Sequence, residues 1–459
     1  MTGAEPDLVH ELRLVVADDL ARAHGSDLAL DDRRELARHL VLERLRGRAL
    51  EAMSLGGPML DPEQERATAE AVLDVLFGLG PLQVLIDDPS VENIDVNGAD
   101  RVWVTYADGS KALGPAAAGS DDELVEMVRS VAARLAMTER RFDVAHPELD
   151  LRLPDGSRLS ALMSVVRRPV LSIRRHRYVD LQLADLVELG AVDEVLASFL
   201  AAAVRARKNI VVGGAMNSGK TTLLRALAAE IPAHERIVTI EQAFELGLDG
   251  DVERHPDVVA LEARQANTEG EGEFPMARLV RRALRMNADR VIVGEILGEE
   301  VLVMLNAMSQ GRAGSMCTIH ADSSHGVFRR IASYAVQSPQ RLPLEATNLL
   351  VAGAVDLVVF LDMDSAPEPG GAGSTVPTRR GRSWGAVDRF PATLRRRFVS
   401  SVLEVVDADG LSVVSNEVFR PGPGRRAEIG APLRSRTFEE LVAHGFDPAG
   451  GHLGRGARR

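Results

Sequence analysis

Asn209-Ile-Val-Val-Gly213-Gly214-Ala-Met-Asn217-Ser218-Gly219-Lys220-Thr221-Thr222-Leu-Leu-Arg225-Ala-Leu-Ala-Ala-Glu230 is the stretch whose reading decides the fold. A short β-branched run opens it, a loop matching G-x-x-x-x-G-K-[ST] follows at Gly214–Thr221, and strong helix formers close it. Strand, loop and helix in that order form the setting in which backbone N–H groups turn inward around a phosphate. Gly214 and Gly219 permit the turn, with Asn217 and Ser218 between them. Lys220 supplies a point charge for the β- and γ-phosphates, and the Thr221 hydroxyl, with Thr222 beside it, suits Mg²⁺. Lysine occurs at only three positions, 111, 208 and 220, among 54 Lys plus Arg, so a lysine at this position is not a product of composition. The loop predicts nucleoside triphosphate binding. No Asn-Lys-x-Asp base-reading motif follows it, which disfavours a GTPase and leaves ATP with Mg²⁺ as the expected ligand.

From Asn209 onward, apolar runs at 209–213, 236–240, 290–294, 315–319 and 355–361 alternate with helical patterns. That spacing predicts an α/β fold with a mainly parallel sheet covered by helices, in which ligands gather at the C-terminal ends of the strands. Three of these runs end in side chains able to do chemistry. Val291-Ile-Val-Gly-Glu295 brings a carboxylate to the edge, where it can support the Mg²⁺ shell or orient water. Ile237-Val-Thr-Ile-Glu241 brings another, suited to a general base. Gly314-Ser-Met-Cys-Thr-Ile-His320 brings an imidazole that can sense the γ-phosphate or relay state to a neighbouring subunit. Taken alone, Glu295 also reads as a solvated strand end and His320 as a structural histidine; the loop is what joins them to a site. Arg278, Arg281, Arg282 and Arg285 share one helical face, as a solvated surface or as a counterpart to acidic or phosphate groups of another subunit.

Before the loop, residues 7 to 55 read as two or three helices, and Leu73 to Pro81 closes another with Gly and Pro stops. Ser90–Gly98 and Arg101–Tyr106 read as a hairpin around Asn97-Gly98. A helix at 121–136 and short strands around Arg152, Arg158, Arg174 and Arg175 complete an α+β pattern. Those arginines are ordinary surface charges or trans-acting charges on nucleotide phosphates; Arg158 and Arg174 are the candidates for catalysis. The expected divisions are an N-terminal helical region at 1–60, an α+β domain at 61–178, a nucleotide-binding domain at 179–364, a flexible Pro/Gly-rich insertion at 365–392, and C-terminal strands with a tail at 393–459.

Composition narrows the function. A formal charge of −13 argues against a surface that coats nucleic acid, and 4% aromatics leave few stacking platforms. The single cysteine, Cys317, excludes an internal disulfide and a cysteine-based zinc module. No basic stretch followed by an apolar core opens the chain, and the apolar run 349–361 is short and carries Asp356. The expectation is a soluble, cytoplasmic protein.

In combination, several of these segments resemble the secretion ATPases of type II and type IV systems, most closely the Tad/Flp pilus branch, over roughly residues 70 to 362. The segments are Asp87–Gly98, Leu153–Arg158, Ser172–Arg175, Asn217–Thr222, Thr239–Glu241, Leu279–Glu295 and Gly314–His320. The resemblance implies a RecA-like ATPase core behind a smaller α+β domain, a homohexamer with nucleotide between the two domains, and docking on inner-membrane platform proteins at the cytoplasmic face. It also implies that Glu295 is the Walker B glutamate supporting Mg²⁺, that Glu241 is an acidic-box residue near the γ-phosphate, and that His320 belongs to a histidine box. Three departures stand out. Gln242 replaces an acidic residue, Leu297 replaces an arginine after Walker B, and Gly311-Arg312-Ala313-Gly314 lacks a second histidine. Two further functions stay open on sequence grounds: a DNA translocase or helicase on the same core, and a nucleotide-binding assembly or regulatory subunit with weak or no hydrolysis.

Overall fold

The computed structural model describes residues 6–23, 28, 30–55, 59–135, 141–175, 181–264, 266, 270–309, 313–367 and 393–448. They divide into two units, one from residues up to 175 and the other from 181 onward.

In the first unit, helices α1 (Pro6–Arg22), α2 (Leu30–Leu55) and α3 (Pro62–Phe77) bury a shared apolar seam that includes Leu12, Val16, Val41, Leu45 and Val72. Asp61 caps α3: its carboxylate accepts from Glu63 N and Gln64 N while the Gln64 side chain accepts from Asp61 N, which satisfies donors the first turn leaves open. Gly78 ends it, as its sequence position predicts. A short α4 (Gln83–Asp87) leads to six antiparallel strands: β1 (Val91–Asn97), β2 (Val102–Tyr106), β3 (Lys111–Leu113), β4 (Glu148–Arg152), β5 (Arg158–Leu162) and β6 (Val170–Arg174), in the order β3-β2-β1-β6-β5-β4. Strands β1 and β2 form the expected hairpin, and Gly98 in its turn has φ +75°, where a Cβ is costly. One sheet face packs Ile94, Val104, Leu159 and Ile173 against Leu124, Val128 and Val131 of α5 (Asp121–Leu135).

In the second unit, α6 (Leu183–Glu188) and α7 (Glu194–Arg205) precede β7 (Ile210–Gly214), the loop, and α8 (Lys220–Ala228). Next come β8 (Ile237–Glu241), β9 (Val258–Glu262), α9 (Met276–Ala283), β10 (Arg290–Ile296), α10 (Glu300–Ser309), β11 (Met316–His320), α11 (Ser324–Gln337), α12 (Leu344–Ala354) and β12 (Leu357–Pro367). Strands β12, β7, β11, β10, β8 and β9 run parallel in that order. One strand, β11, therefore separates the loop strand from the Glu295 strand, the RecA-like arrangement. Side chains alternate across the sheet: Ile210 and Val212 face α7 and α8, while Val211 faces the layer of α9 to α12. Burial on both faces is what makes these strands continuous apolar runs in sequence.

Two features differ from the sequence reading. Val258–Glu262 is a sixth parallel strand, passed over because its partly exposed edge position leaves it short of a full apolar run. The expected insertion at 365–392 begins inside a strand: β12 continues through Pro367 and pairs with β13 (Thr393–Ala408), followed by β14 (Val413–Pro421), β15 (Ala427–Ile429) and helix α13 (Ser435–Ala443). Strands β13 to β15 join the same sheet antiparallel, giving nine strands. Residues 368–392 and the tail beyond 448 lie outside the described residues.

A buried ion pair pins β10. Arg290, fully buried, donates from Nε and Nη2 to the Glu235 carboxylate at 2.6 and 3.1 Å and from Nη1 to Gly314 O at 3.2 Å. Burial alone would raise the Glu235 carboxyl, but Arg290 and Arg207 hold it below its ordinary value. Among the described residues no single helix is long and apolar enough to cross a membrane; α3 and Gly80–Asp87 reach that composition only as a pair, bent by 111°.

Candidate active site

Strand register assembles the site. His320 pairs with Gly214, which sets the imidazole beside the start of the phosphate loop. On the far side of β11, β10 carries one extra residue between Val293 and Ile296, a bulge at Gly294-Glu295 that turns Glu295 away from regular alternation. Glu241 ends β8 beside Gly294; a Cβ on that glycine would lie 3.0 Å from Glu241 Cγ, so the missing side chain makes room for the carboxyl.

The loop itself adopts two left-handed residues, Asn217 at φ +62° and Gly219 at φ +92°. Asparagine and glycine are the residues that tolerate this region best. Gly219 caps the first turn of α8 without a side-chain hydrogen bond, and the N-terminal N–H groups of a helix are suited to an anion. Ser218 Oγ is completely buried without a hydrogen-bond partner, an orphaned hydroxyl inside a cradle made for an anion. Thr221 and Thr222 are half-buried on the same turn.

Lys220, 7% exposed, donates to Ala215 O at 3.0 Å and to His320 Nδ1 at 2.9 Å. His320 Nε2 lies 2.6 Å from Glu295 Oε1. An ammonium can only donate, so Nδ1 accepts and Nε2 carries the proton that it gives to Glu295. Lys220, His320 and Glu295 thus form one continuous chain from the phosphate loop to the carboxylate of β10.

Glu241 behaves differently. It is 3% exposed, and its Oε2 accepts from Glu245 N and Leu246 N, both at 2.8 Å, while Oε1 has no partner. Burial pushes its carboxyl up to about 7, with the two amide donors pulling down, Glu245 pushing up and Arg225 of α8 pulling down more weakly. A carboxyl poised there, with one free oxygen, has the acid–base character of a general base at neutral pH.

The donors present fit a magnesium nucleotide. Among the described residues no group of three or more His, Cys, Asp or Glu side chains forms a metal-holding cluster. Mg²⁺ keeps waters and binds through few protein groups plus substrate phosphates, and the Thr221 hydroxyl and the Glu295 carboxylate are groups of the kind it takes.

Arg158 and Arg174 sit in the other unit, on its open sheet face. Arg152, Arg158 and Arg174 are direct cross-strand neighbours, a row of three guanidiniums where like charges oppose each other. Arg278, Arg281 and Arg282 are exposed on α9 with Arg285 just beyond it, and the Arg278 guanidinium lies 4.1 Å from the centre of the Phe274 ring. Gln242 and Leu297 line one open cavity of about 330 Å³ together with Arg264, Glu273 and Glu299. Arg312 lies outside the described residues.

Two neighbours of the site escaped the sequence reading. Arg225 was read only as part of a helix, although a basic residue on the helix after the loop was the available signal. Arg397 of β13 donates from Nε to Asn217 O at 2.9 Å; the run Arg395-Arg396-Arg397 was visible, but not its place against the loop.

The family model described as type II/IV secretion system protein matches residues 76–365. A putative conjugal transfer protein of Mycobacterium tuberculosis is 35% identical over 317 residues, covering 67% of this chain and 87% of that protein. The type IV secretion system protein VirB11 of Brucella suis is 30% identical over 329 residues, covering 65% of this chain and 88% of its own. Among solved structures, the VirB11 ATPase of the Brucella suis type IV secretion system, in complex with sulphate, aligns at 29% identity and a TM-score of 0.32 over 63% of this chain and 92% of that one. With its phosphate loop, its carboxylate strands and a family match over more than half its length, this chain belongs to the type II/IV secretion system protein family.

Proposed function

We propose that the chain is an ATP-hydrolysing motor of a secretion or pilus machine, working as a homohexamer docked on membrane platform proteins at the cytoplasmic face, and closest to the Tad/Flp pilus branch. The observation that carries the reading is the unbroken Lys220–His320–Glu295 chain beside a buried Glu241, all at the C-terminal edge of one parallel sheet.

Bound ATP with Mg²⁺ supplies the phosphoanhydride bond and the counter-charge for its phosphates. Gly214 to Thr222 hold the phosphates. Lys220 exchanges Ala215 O and His320 for phosphate oxygens, and His320, losing its donor at Nδ1, passes the occupancy of the loop to Glu295. Glu241 takes a proton at its unpartnered Oε1 from the water that attacks the γ-phosphorus, while the bridging P–O bond to the β-phosphate breaks and ADP leaves. Arg158 and Arg174 are proposed to add charge to the phosphates of a neighbouring subunit's nucleotide. The departures at Gln242 and Leu297 leave Lys220, Glu241 and Glu295 in place, which supports turnover. Kinship to a putative conjugal transfer protein favours a conjugal transfer machine as a second setting.

Phosphate release by the purified full chain tests the reading. Wild type releases phosphate, Glu295→Gln binds nucleotide but turns over at least ~100-fold more slowly, and Lys220→Ala loses binding. Equal release from all three sinks the motor and leaves a nucleotide-binding assembly subunit. Turnover that rises on adding DNA moves the reading to the translocase class.

A further inference from the structure

The chain that follows the family-matched region returns to the phosphate loop. The family match ends at residue 365, yet β13 brings Arg397 onto Asn217, 180 residues earlier in sequence. The sheet explains how: Leu361 of β12 pairs with Gly214, where the loop begins, and Met363, two residues on, pairs with Arg397. Extending β12 past the end of β7 therefore carries β13 over the loop, and Arg397 is the residue that arrives there.

We propose that Arg397 is a positioning residue for nucleotide phosphate, acting through the backbone of the loop; the proposal rests on the nucleotide-binding reading above. Its Nε donates to Asn217 O at 2.9 Å, and its Cδ would lie 3.5 Å from a Cβ on Gly219, so it spans both left-handed residues of the loop. In a trans peptide the C=O and the next N–H point in opposite directions. Holding Asn217 O outward turns Ser218 N–H inward, where it now meets Ala215 O at 3.3 Å, the oxygen that also accepts from Lys220. Both donors aimed at that oxygen are the ones an anion in the loop takes over. A guanidinium on the carbonyl also polarises the peptide, which makes the opposite N–H a better donor. Left-handed Asn217 is a conformation with a cost, and a charge-assisted hydrogen bond from a neighbouring strand offsets it.

The consequence is specific. The loop grips the phosphates shared by ADP and ATP, so losing Arg397 weakens both nucleotides by a similar factor, of about tenfold for one charge-assisted hydrogen bond. A side chain that instead touched the γ-phosphate would affect ATP alone.

The test is titration of the full chain with fluorescent MgADP and MgATP analogues, comparing wild type, Arg397→Ala, Arg397→Lys and Lys220→Ala. The expected result is a rise in Kd of about tenfold for both nucleotides in Arg397→Ala, a smaller rise in Arg397→Lys, and a melting temperature without nucleotide lowered by only a few degrees, as the loss of one hydrogen bond in a single loop predicts. Should the alanine variant fold poorly, Arg397→Lys with hydrogen exchange at Ala215–Gly219 reads the same quantity: exchange there quickens while the sheet stays protected. Wild-type-like Kd for both nucleotides in the Arg397 variants, with Lys220→Ala inactive in binding, overturns the positioning role and leaves the nucleotide reading intact. A loss confined to MgATP overturns it too. Absence of binding by wild type defeats the nucleotide reading itself.

Discussion

Glu241→Gln isolates the energetic cost of keeping an ionisable carboxyl at the buried end of β8. The wild-type carboxyl is raised from 4.5 to about 7 in the folded chain. A carboxyl with a raised folded pKa favours the native state while protonated, and that advantage is lost as pH climbs through the folded value. Using those two values, the raised pKa of Glu241 lowers folding stability by about 0.8 kcal/mol at about pH 5 and about 3.3 kcal/mol at about pH 8, a difference of about 2.5 kcal/mol. Glutamine keeps an acceptor for Glu245 N and Leu246 N but has no proton to lose, so any fixed packing penalty cancels when the variant is compared with wild type across pH. The assay is the melting temperature of the nucleotide-free protein at several pH values between these limits. For a unit of this size about 2.5 kcal/mol corresponds to a shift of roughly 5–10 °C in the variant's favour at the alkaline end relative to the acid end. A difference between variant and wild type that is flat with pH would falsify the reasoning: the carboxyl would then ionise in the fold as it does in the unfolded chain.

Two further outcomes follow from burial. Arg290→Ala leaves Glu235 in the interior with the half-exposed Arg207 beside it, and destabilises the second unit by about 3–5 kcal/mol, whereas Arg207→Ala costs about 1 kcal/mol or less; denaturation midpoints of the two variants check this, and equal shifts contradict it. Cys317, 1% exposed with its thiol pushed up to about 12 by burial, stays unlabelled by an aromatic disulfide reagent in the native protein and reacts fully in guanidinium, so prompt native labelling would show an open β11.

The parts of this site legible in sequence are those tied to strict local rules. Gly214–Thr221 announces itself because only certain residues can turn a backbone around phosphate. Strands buried on both faces, such as Ile210–Gly214 and Arg290–Ile296, appear as apolar runs whose last residues are their functional ends. What sequence reading lacked was register. The bulge that turns Glu295, the glycine that admits the Glu241 carboxyl, and the link from Lys220 through His320 to Glu295 depend on which residues stand side by side across strands. Edge strand β9 was invisible for the opposite reason, since partial exposure dilutes the pattern that betrayed its neighbours. The C-terminal strands were recognised as strands but not as part of the same sheet, so Arg397 had no context.

The phosphate-loop strand is the fifth of nine, flanked by β11 and β12 rather than by its neighbours in sequence. A ribosome making this chain finishes the loop at Thr221 but delivers β11 about 95 residues later and β12 only near residue 357. Until β11 emerges β7 has neither of its hydrogen-bonding partners, and until β12 follows it has one. A growing chain therefore carries the phosphate loop through about a further hundred residues with no neighbouring strand to hold it, and completes the loop's frame only when its last third emerges.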